Sequence, residues 1–332
     1  MDLKVFGGLY WNGRVKMKAS IIVPCFNESN IIVEAYKRLT DILLQNIEGS
    51  NDDYELIFID DGSLDNTENL IIDLSKKDIR VKYISFSRNF GKESAMLAGI
   101  KSAIGDVVII MDSDLQHPPE MIPEMITYYK QGYNQVICKR NRKGEKLIRK
   151  KLSQLYYKIV NKCIDVELVD GVGDFRLLSR QAVDSLLKLT EYNRFSKGLF
   201  SWIGFEPKYI NYDNHEREGG ESKWSFKSLL QYGVDGIISF NNKPLRTIIY
   251  LGVVLVILSI IYILITFSRI LVNGVTSPGY FTLIVAILTL GGVQLISIGI
   301  IGEYIGRIYY EVKKRPSYII KNTNINDENN TN

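Results

Sequence analysis

A chain of 332 residues, 23% charged and 46% hydrophobic, is too long for one small domain and too balanced for a disordered tail or an all-membrane bundle. Three scattered cysteines (Cys25, Cys138, Cys163) and two histidines (His117, His215) exclude a zinc cluster and a disulfide framework, so any metal is a hard cation on oxygen ligands, Mg²⁺ or Mn²⁺. A net charge of +4 is too modest to point to a nucleic-acid partner.

Residues 1–17 show neither periodicity nor an apolar core, so they read as an extension without a signal peptide, and Met17 reads as the natural start. From Ala19 the chain repeats strand, loop and helix. Ser20 to Pro24 is an apolar run ended by proline, and Glu34 to Gln45 has helical spacing. Tyr54 to Ile59 is a second strand, stopped by Asp60-Asp61-Gly62; Asp65 to Glu68 then reads as a capping box that opens a helix. Val81 to Ser85, Val107 to Met111 and Gln135 to Cys138 are further strands, with helices over Glu93 to Ala103 and Glu120 to Tyr129. This alternation predicts an α/β unit: a parallel sheet covered on both faces, with ligands beyond the carboxyl ends of its strands.

After this unit the chain turns basic. Lys139 to Lys151 holds eight Lys or Arg against one Glu, which suits a phosphate-handling or membrane-contacting loop, and a long helix is expected to run on to Cys163. Ser225 to Phe240 is amphipathic, and with Trp224 it reads as a helix lying in a membrane interface. No charged residue falls between Thr247 and Ser268, or between Ile270 and Gly302. Each run exceeds the ~20 residues that cross a bilayer. Lys243, Arg246, Arg307, Lys313, Lys314 and Arg315 flank the pair and only Arg269 lies between them, which places the head and both ends in the cytoplasm. Asn322 to Asn332 is expected to be a disordered tail.

The strongest chemical constellation is Met111-Asp112-Ser113-Asp114-Leu115-Gln116 at a strand end. Two carboxylates two residues apart, with Gln116 as a further oxygen ligand, can hold a divalent cation against a diphosphate and offset the charge growing on that leaving group. Asp60-Asp61-Gly62-Ser63 offers carboxylate acceptors and a glycine for a tight turn. Pro24-Cys25-Phe26-Asn27-Glu28 could stack on and hydrogen-bond a base, with Asn27 as a helix cap at the same time. The lone cysteines read as core residues.

Together with Ser87-Arg-Asn-Phe-Gly-Lys-Glu93, Gly173-Asp-Phe-Arg-Leu-Leu178, Arg194 to Trp202 and Gly236 to Phe240, these segments resemble family 2 glycosyltransferases of the GT-A fold. The two C-terminal spans narrow the resemblance to polyprenyl-phosphate glycosyltransferases, the bactoprenol glucosyltransferase group related to dolichol-phosphate mannose synthase. It covers roughly Lys18 to Pro316. The resemblance implies an extension over 1–17, a cytoplasmic GT-A domain over 18–224, an interfacial helix over 225–243, a two-helix transmembrane hairpin over 244–302 and a cytoplasmic tail over 303–332. It implies nucleotide-sugar contacts at Pro24, Phe26, Glu28, Asp61, Arg217 and Lys223. Phe26 stands where a tyrosine is common. Asp112, Asp114 and Gln116 match the site for Mg²⁺ or Mn²⁺ and diphosphate, Arg140, Arg149 and Ser153 the positions that hold the acceptor phosphate, and Asp174 an aspartate beside the acceptor.

The implied reaction moves a hexose, glucose from UDP-glucose, onto undecaprenyl phosphate with inversion, at the bacterial cytoplasmic membrane. Mannose from GDP-mannose or an amino-sugar is the variant on the same lipid. The implied partners are the nucleotide sugar, undecaprenyl phosphate, membrane lipids and a second copy through the transmembrane region. Asp174 is equally open to a structural reading, as an N-cap or a salt-bridge partner of Arg176. A processive polysaccharide synthase is opposed by the two spans and the missing Gln-x-x-Arg-Trp segment. A nucleotide-binding scaffold without activity is opposed by the intact acidic centre.

Overall fold

The computed structural model describes residues 17–46, 52–141, 169–213 and 279–325, together with residue 161 and scattered positions between 248 and 272. The elements are β1 (Lys18–Cys25), α1 (Ile32–Asn46), β2 (Asp53–Asp60), α2 (Thr67–Lys77), β3 (Val81–Phe86), α3 (Lys92–Ser102), β4 (Val107–Ile110), a 3₁₀ turn (Pro119–Met121) and α4 (Ile122–Lys130). There follow β5 (Gln135–Asn141), β6 (Val172–Ser179), α5 (Arg180–Leu187), α6 (Ser196–Trp202), β7 (Pro207–Asp213), α7 (Tyr280–Lys313) and β8 (Ile320–Thr323). The predicted interfacial helix lies outside the described residues, as does the predicted helix running to Cys163 apart from residue 161, which is helical.

All eight strands form one sheet in the order β7-β5-β6-β4-β1-β2-β3-β8. β1 pairs in parallel with β2 and β4, and β2 with β3. These central strands are apolar on both faces because both faces are covered. On one face Val23, Leu56 and Phe58 pack with Leu39 and Leu43 of α1. On the other, Ile22, Ile57 and Ile59 meet Ala95, Met96 and Ala98 of α3. Cys25 and Cys138 are buried, as core residues should be, and burial raises both thiols, Cys138 to about 12.

The sheet is mainly parallel, as the resemblance to the GT-A fold implies, with β6 and β8 as its antiparallel members. β6 runs antiparallel between β4 and β5, with Ile110 opposite Arg176 and Val107 opposite Ser179. β7 returns parallel to β5. The first half of β6, Val172-Gly-Asp, is too polar to read as a strand; pairing with its neighbours makes it one. The capping box is also corrected. α2 starts after Asn66, which makes no side-chain cap bond, and Glu68 reaches Lys321 Nζ at 2.7 Å instead of turning back to the helix start.

The start of the tail, to Ile325, is the largest correction, and residues 326–332 lie outside the described ones. α7 ends at a left-handed Lys314 (φ 47°), and the chain comes back to lay β8 antiparallel on β3. Asn324 clamps that edge, accepting from Tyr83 N (2.8 Å) and donating to Val81 O (3.0 Å), while Thr323 Oγ1 donates to Tyr83 O (2.7 Å) and Ser87 N to Ile319 O (3.0 Å). Tyr318 stacks on Phe86 at 4.9 Å. An open β3 edge would leave backbone groups unpaired, and this strand covers them. Ending the chain at Ser317 is therefore expected to lower Tm by roughly 10 °C, taking about 1 kcal/mol for each of these bonds. A thermal scan of the truncated protein in detergent checks this; an unchanged Tm contradicts it.

The described positions between 248 and 272 are helical. Ile248, Gly252 and Leu255 line one apolar groove with Leu290, Val293 and Ser297 of α7, so the two apolar runs lie side by side. Among the described residues no helix is long and apolar enough to cross a membrane. The other end of α7 docks on the head, where Tyr310 stacks on Tyr192 at 5.6 Å and Glu311 accepts from Tyr192 N at 2.7 Å.

Candidate active site

β4, β1 and β2 are neighbours and run in parallel, so their carboxyl ends share one edge of the sheet. The strand order reverses between β1 and β4, the place where open α/β sheets bind ligands. Asp61 N donates to Cys25 O (2.9 Å) and Met111 N to Ile22 O (3.1 Å), which fixes how far each tip projects. The three polar endings therefore do meet. Pro24 is buried in β1, and Phe26 and Glu28 are half-buried just beyond it.

The loops after β1 and β2 are laced together. Asn27 N donates to Ser63 Oγ (2.9 Å), Leu64 N to Asn27 Oδ1 (2.8 Å), Glu28 N to Thr67 Oγ1 (2.9 Å) and Ser29 N to Asp65 Oδ2 (3.1 Å). Asn27 is thus a loop tie in the left-handed region (φ 56°) rather than the cap of α1, which starts five residues later. Burial works against ionisation of Asp65, but hydrogen bonds from Thr67 and Ser29 outweigh it and bring its carboxyl down to about 2. A carboxyl held below its unfolded pKa of ~3.9 stabilises the fold above that pH, and the contribution is lost as pH falls through the folded value. The stability difference between wild type and Asp65→Ala is therefore expected to be full at pH 5 and to close towards pH 2. Urea unfolding across that range measures it, and a pH-independent gap would refute the lacing role.

Asp60 and Asp61 both point inward. Asp61 accepts from Phe90 N (2.7 Å) and Gly91 N (3.0 Å), so its buried carboxylate holds the turn between β3 and α3. Burial raises its pKa, while those two N–H groups pull the other way. Its contacts in this structure are to backbone, on the loop that delivers Lys92.

Lys92 opens α3 and makes the central contact of the site. Its Nζ lies 2.6 Å from Asp112 Oδ1 and 2.7 Å from Asp174 Oδ2. The side chains of Lys92, Asp112 and Asp174 are 44%, 28% and 15% exposed, so the bridge is reachable from solvent. Burial alone would lower the Lys92 pKa, but the two carboxylates beside it push it well up. Burial alone would raise Asp174, but Lys92 and then Lys197 hold its carboxyl well below the usual range. The partner of Asp174 is thus Lys92; Arg176 instead donates to Gly173 O (2.7 Å) and lies over the Phe200 ring. On the far side Glu93 takes the Ser196 hydroxyl and N–H, which fastens α3 to α6.

Asp114 Oδ1 accepts from Gln116 N (3.1 Å) across a left-handed Leu115 (φ 55°), which keeps the acidic turn tight. His117 Nδ1 accepts from Asp112 N (3.4 Å), and its ring stacks on Phe175 at 5.2 Å. Burial and then Cys138 raise Tyr212 to about 12, and its ring stands edge-on to that of His117 at 6.2 Å. Arg140, at the end of β5, is in register with Tyr212 on the same edge. Arg149, Ser153, Arg217 and Lys223 lie outside the described residues.

Among the described residues no group of three or more His, Cys, Asp or Glu could hold a metal on its own. Asp112, Asp114 and Gln116 nonetheless fit a hard cation: the set is all oxygen, and Asp112 already binds a cationic group. Mg²⁺ commonly takes one or two carboxylates and completes its shell with substrate phosphates. Lys92 and His117 were missed in sequence. Lys92 stood inside the Ser87–Glu93 motif, but nothing local marks which lysine will face a carboxylate 82 positions away.

The mainly parallel α/β sheet with acidic tips beside its switch point fits the GT-A class of glycosyltransferases, and the family match agrees. The family model described as Glycosyl transferase family 2 matches residues 20–187, and that described as GtrB C-terminal hairpin matches residues 243–308. The chain belongs to glycosyl transferase family 2. It is 58% identical over 306 residues to the putative glycosyltransferase CsbB of Bacillus subtilis (strain 168), covering 92% of each chain. It is 43% identical over 306 residues to the SfII prophage-derived bactoprenol glucosyl transferase of Shigella flexneri, covering 92% of this chain and 98% of that one. It is also 39% identical over 305 residues to the uncharacterized glycosyltransferase sll0501 of Synechocystis sp. (strain ATCC 27184 / PCC 6803 / Kazusa), covering 92% and 95%.

Proposed function

We propose that this glycosyltransferase moves a hexose, glucose from UDP-glucose, onto undecaprenyl phosphate at the cytoplasmic face of a bacterial membrane, inverting the anomeric carbon. The observation that carries the reading is the pair Asp112 and Asp174 at one sheet edge, joined through Lys92. The bactoprenol glucosyl transferase relatives support, by their names, the acceptor and the sugar. Asp112, Asp114 and Gln116 would hold Mg²⁺ or Mn²⁺, which when bound offsets charge on the departing diphosphate. Pro24, Phe26 and Glu28 seat the nucleotide, with Asp61 holding the loop beneath it. Arg217 and Lys223 close on the diphosphate. Arg140, Arg149 and Ser153 hold the acceptor phosphate.

That phosphate is already anionic near neutral pH, its second pKa being ~6, so it needs placement more than deprotonation. Asp174 orients it or the sugar. Two spans over 244–302 and the interfacial segment over 225–243 keep the head at the surface where the lipid phosphate lies, supported by the uncharged runs and by the groove they share. The test is a screen of nucleotide sugars with undecaprenyl phosphate, read by mass spectrometry of the lipid. A single hexosyl-phospholipid formed from UDP-glucose is expected. Transfer from GDP-mannose alone changes the sugar, a polymer changes the reaction, and no lipid product with any donor refutes the acceptor.

A further inference from the structure

Lys92 is presented with unusual care for a half-exposed lysine. Before it, buried Asp61 holds Phe90 N and Gly91 N; after it, Glu93 is bound to Ser196. Its ammonium then meets two carboxylates from different strand ends, Asp112 after β4 and Asp174 on β6. A lysine has three N–H donors, and among the described residues these carboxylates take two. The third is left on a side chain that is 44% exposed.

An acceptor phosphate entering this edge comes up against the carboxyl groups of Asp112, Asp114 and Asp174 and against a diphosphate. Like charges a few ångströms apart repel strongly where the effective dielectric is well below that of water. A cation on Asp112, Asp114 and Gln116 would face the departing diphosphate, so the acceptor side needs a positive group of its own, and Lys92 stands there between Asp112 and Asp174. On that ground, and resting on the transfer reading above, we propose that Lys92 is an acceptor-phosphate ligand of the transfer centre. Two of its protons lock Asp112 and Asp174 in relative position, and the third takes an oxygen of the incoming phosphate. The bond also turns the phosphate towards the donor side, because the same ammonium is fixed to Asp112. The competing role is internal neutralisation, in which Lys92 only offsets two carboxylates and never meets substrate.

The experiment uses the full-length protein in detergent with Lys92→Met and Lys92→Arg. Thermal stability, nucleotide-sugar Kd, equilibrium binding of a short, water-soluble polyprenyl phosphate without donor, and steady-state kinetics are measured on each. Lys92→Met is expected to weaken polyprenyl-phosphate binding about 10- to 100-fold, the range for a hydrogen bond to a charged group, and to leave donor Kd within about threefold. Lys92→Arg, which keeps the charge and changes the geometry, is expected to recover part of that binding with a reduced kcat.

Polyprenyl-phosphate binding unchanged in Lys92→Met would overturn the proposal, and so would a loss matched by an equal loss of donor affinity. If Lys92→Met does not fold, Lys92→Arg decides: acceptor binding and kcat both at wild-type level overturn it, and a fall in either at unchanged donor Kd supports it. A wild type that neither binds polyprenyl phosphate nor transfers to it removes the transfer reading itself, whereas an active wild type with an equally active Lys92→Met removes the lysine alone.

Discussion

Asp114→Asn is expected to abolish turnover while the fold persists. The substituted amide still offers an oxygen to Gln116 N, the 3.1 Å bond that shapes the acidic turn, so the turn has no reason to open. What is lost is a negative charge at the position where a divalent cation and a diphosphate would meet. Removing one preorganised stabiliser of developing charge typically raises a barrier by ~2.7–4 kcal/mol, and loss of a cation should exceed that. A fall in kcat of at least about 100-fold is therefore expected, together with weaker Mn²⁺ binding followed by electron paramagnetic resonance, at unchanged Tm. Wild-type activity of Asp114→Asn in the presence of chelator would defeat the metal assignment.

Gly62→Ala is expected to be the most damaging single-methyl change in the head. Gly62 has φ +68°, and a Cβ there would stand 2.3 Å from Arg88 C and 2.7 Å from both Arg88 O and Asn89 N. Those are backbone atoms of the loop that Asp61 holds and that delivers Lys92, so no side chain can swing aside. A left-handed non-glycine residue costs about 1–2 kcal/mol, and forced packing adds about 1–3. The sum, roughly 2–5 kcal/mol, lowers Tm by about 10 °C in a domain of this size. Gly132→Ala is the control: its φ is +99°, but nothing lies within 4 Å, so only the conformational cost applies. Thermal unfolding of the two variants side by side checks the argument. Equal shifts would mean that the contact with the Arg88–Asn89 backbone does not matter.

Much of the head was legible because the central strands are buried on both faces. Ile21, Ile22 and Val23, or Val107 to Ile110, form runs that few other structures would accept, and each is followed at once by polar residues. The positions of β1, β2, β3 and β4 therefore came within a residue or two of those observed. The acidic ends of β1, β2 and β4 were equally readable, since a carboxylate directly after a buried run has only the sheet edge to occupy. The mixed sheet was less readable. β6 begins with Val172-Gly-Asp and β8 with Ile320-Lys-Asn; neither carries enough apolar residues to declare itself, and each is a strand because a neighbour supplies its hydrogen bonds.

Asp61 and Asp174 show the same boundary at the level of single side chains. Their presence near the site followed from local sequence, but their partners did not. Asp61 is a nucleotide-sugar contact by resemblance, and its carboxylate in addition accepts from Phe90 N and Gly91 N, 29 and 30 positions on. Asp174 was weighed against Arg176, two residues away, and its partner is Lys92, 82 positions back. Periodicity and motif spacing report what a residue does within a turn or two of its own chain: which face is buried, where a run stops, which tip is charged. Which cation stands between two carboxylates depends on strand order and on the direction of β6 beside β4, and those are set by packing and hydrogen bonding across the whole sheet.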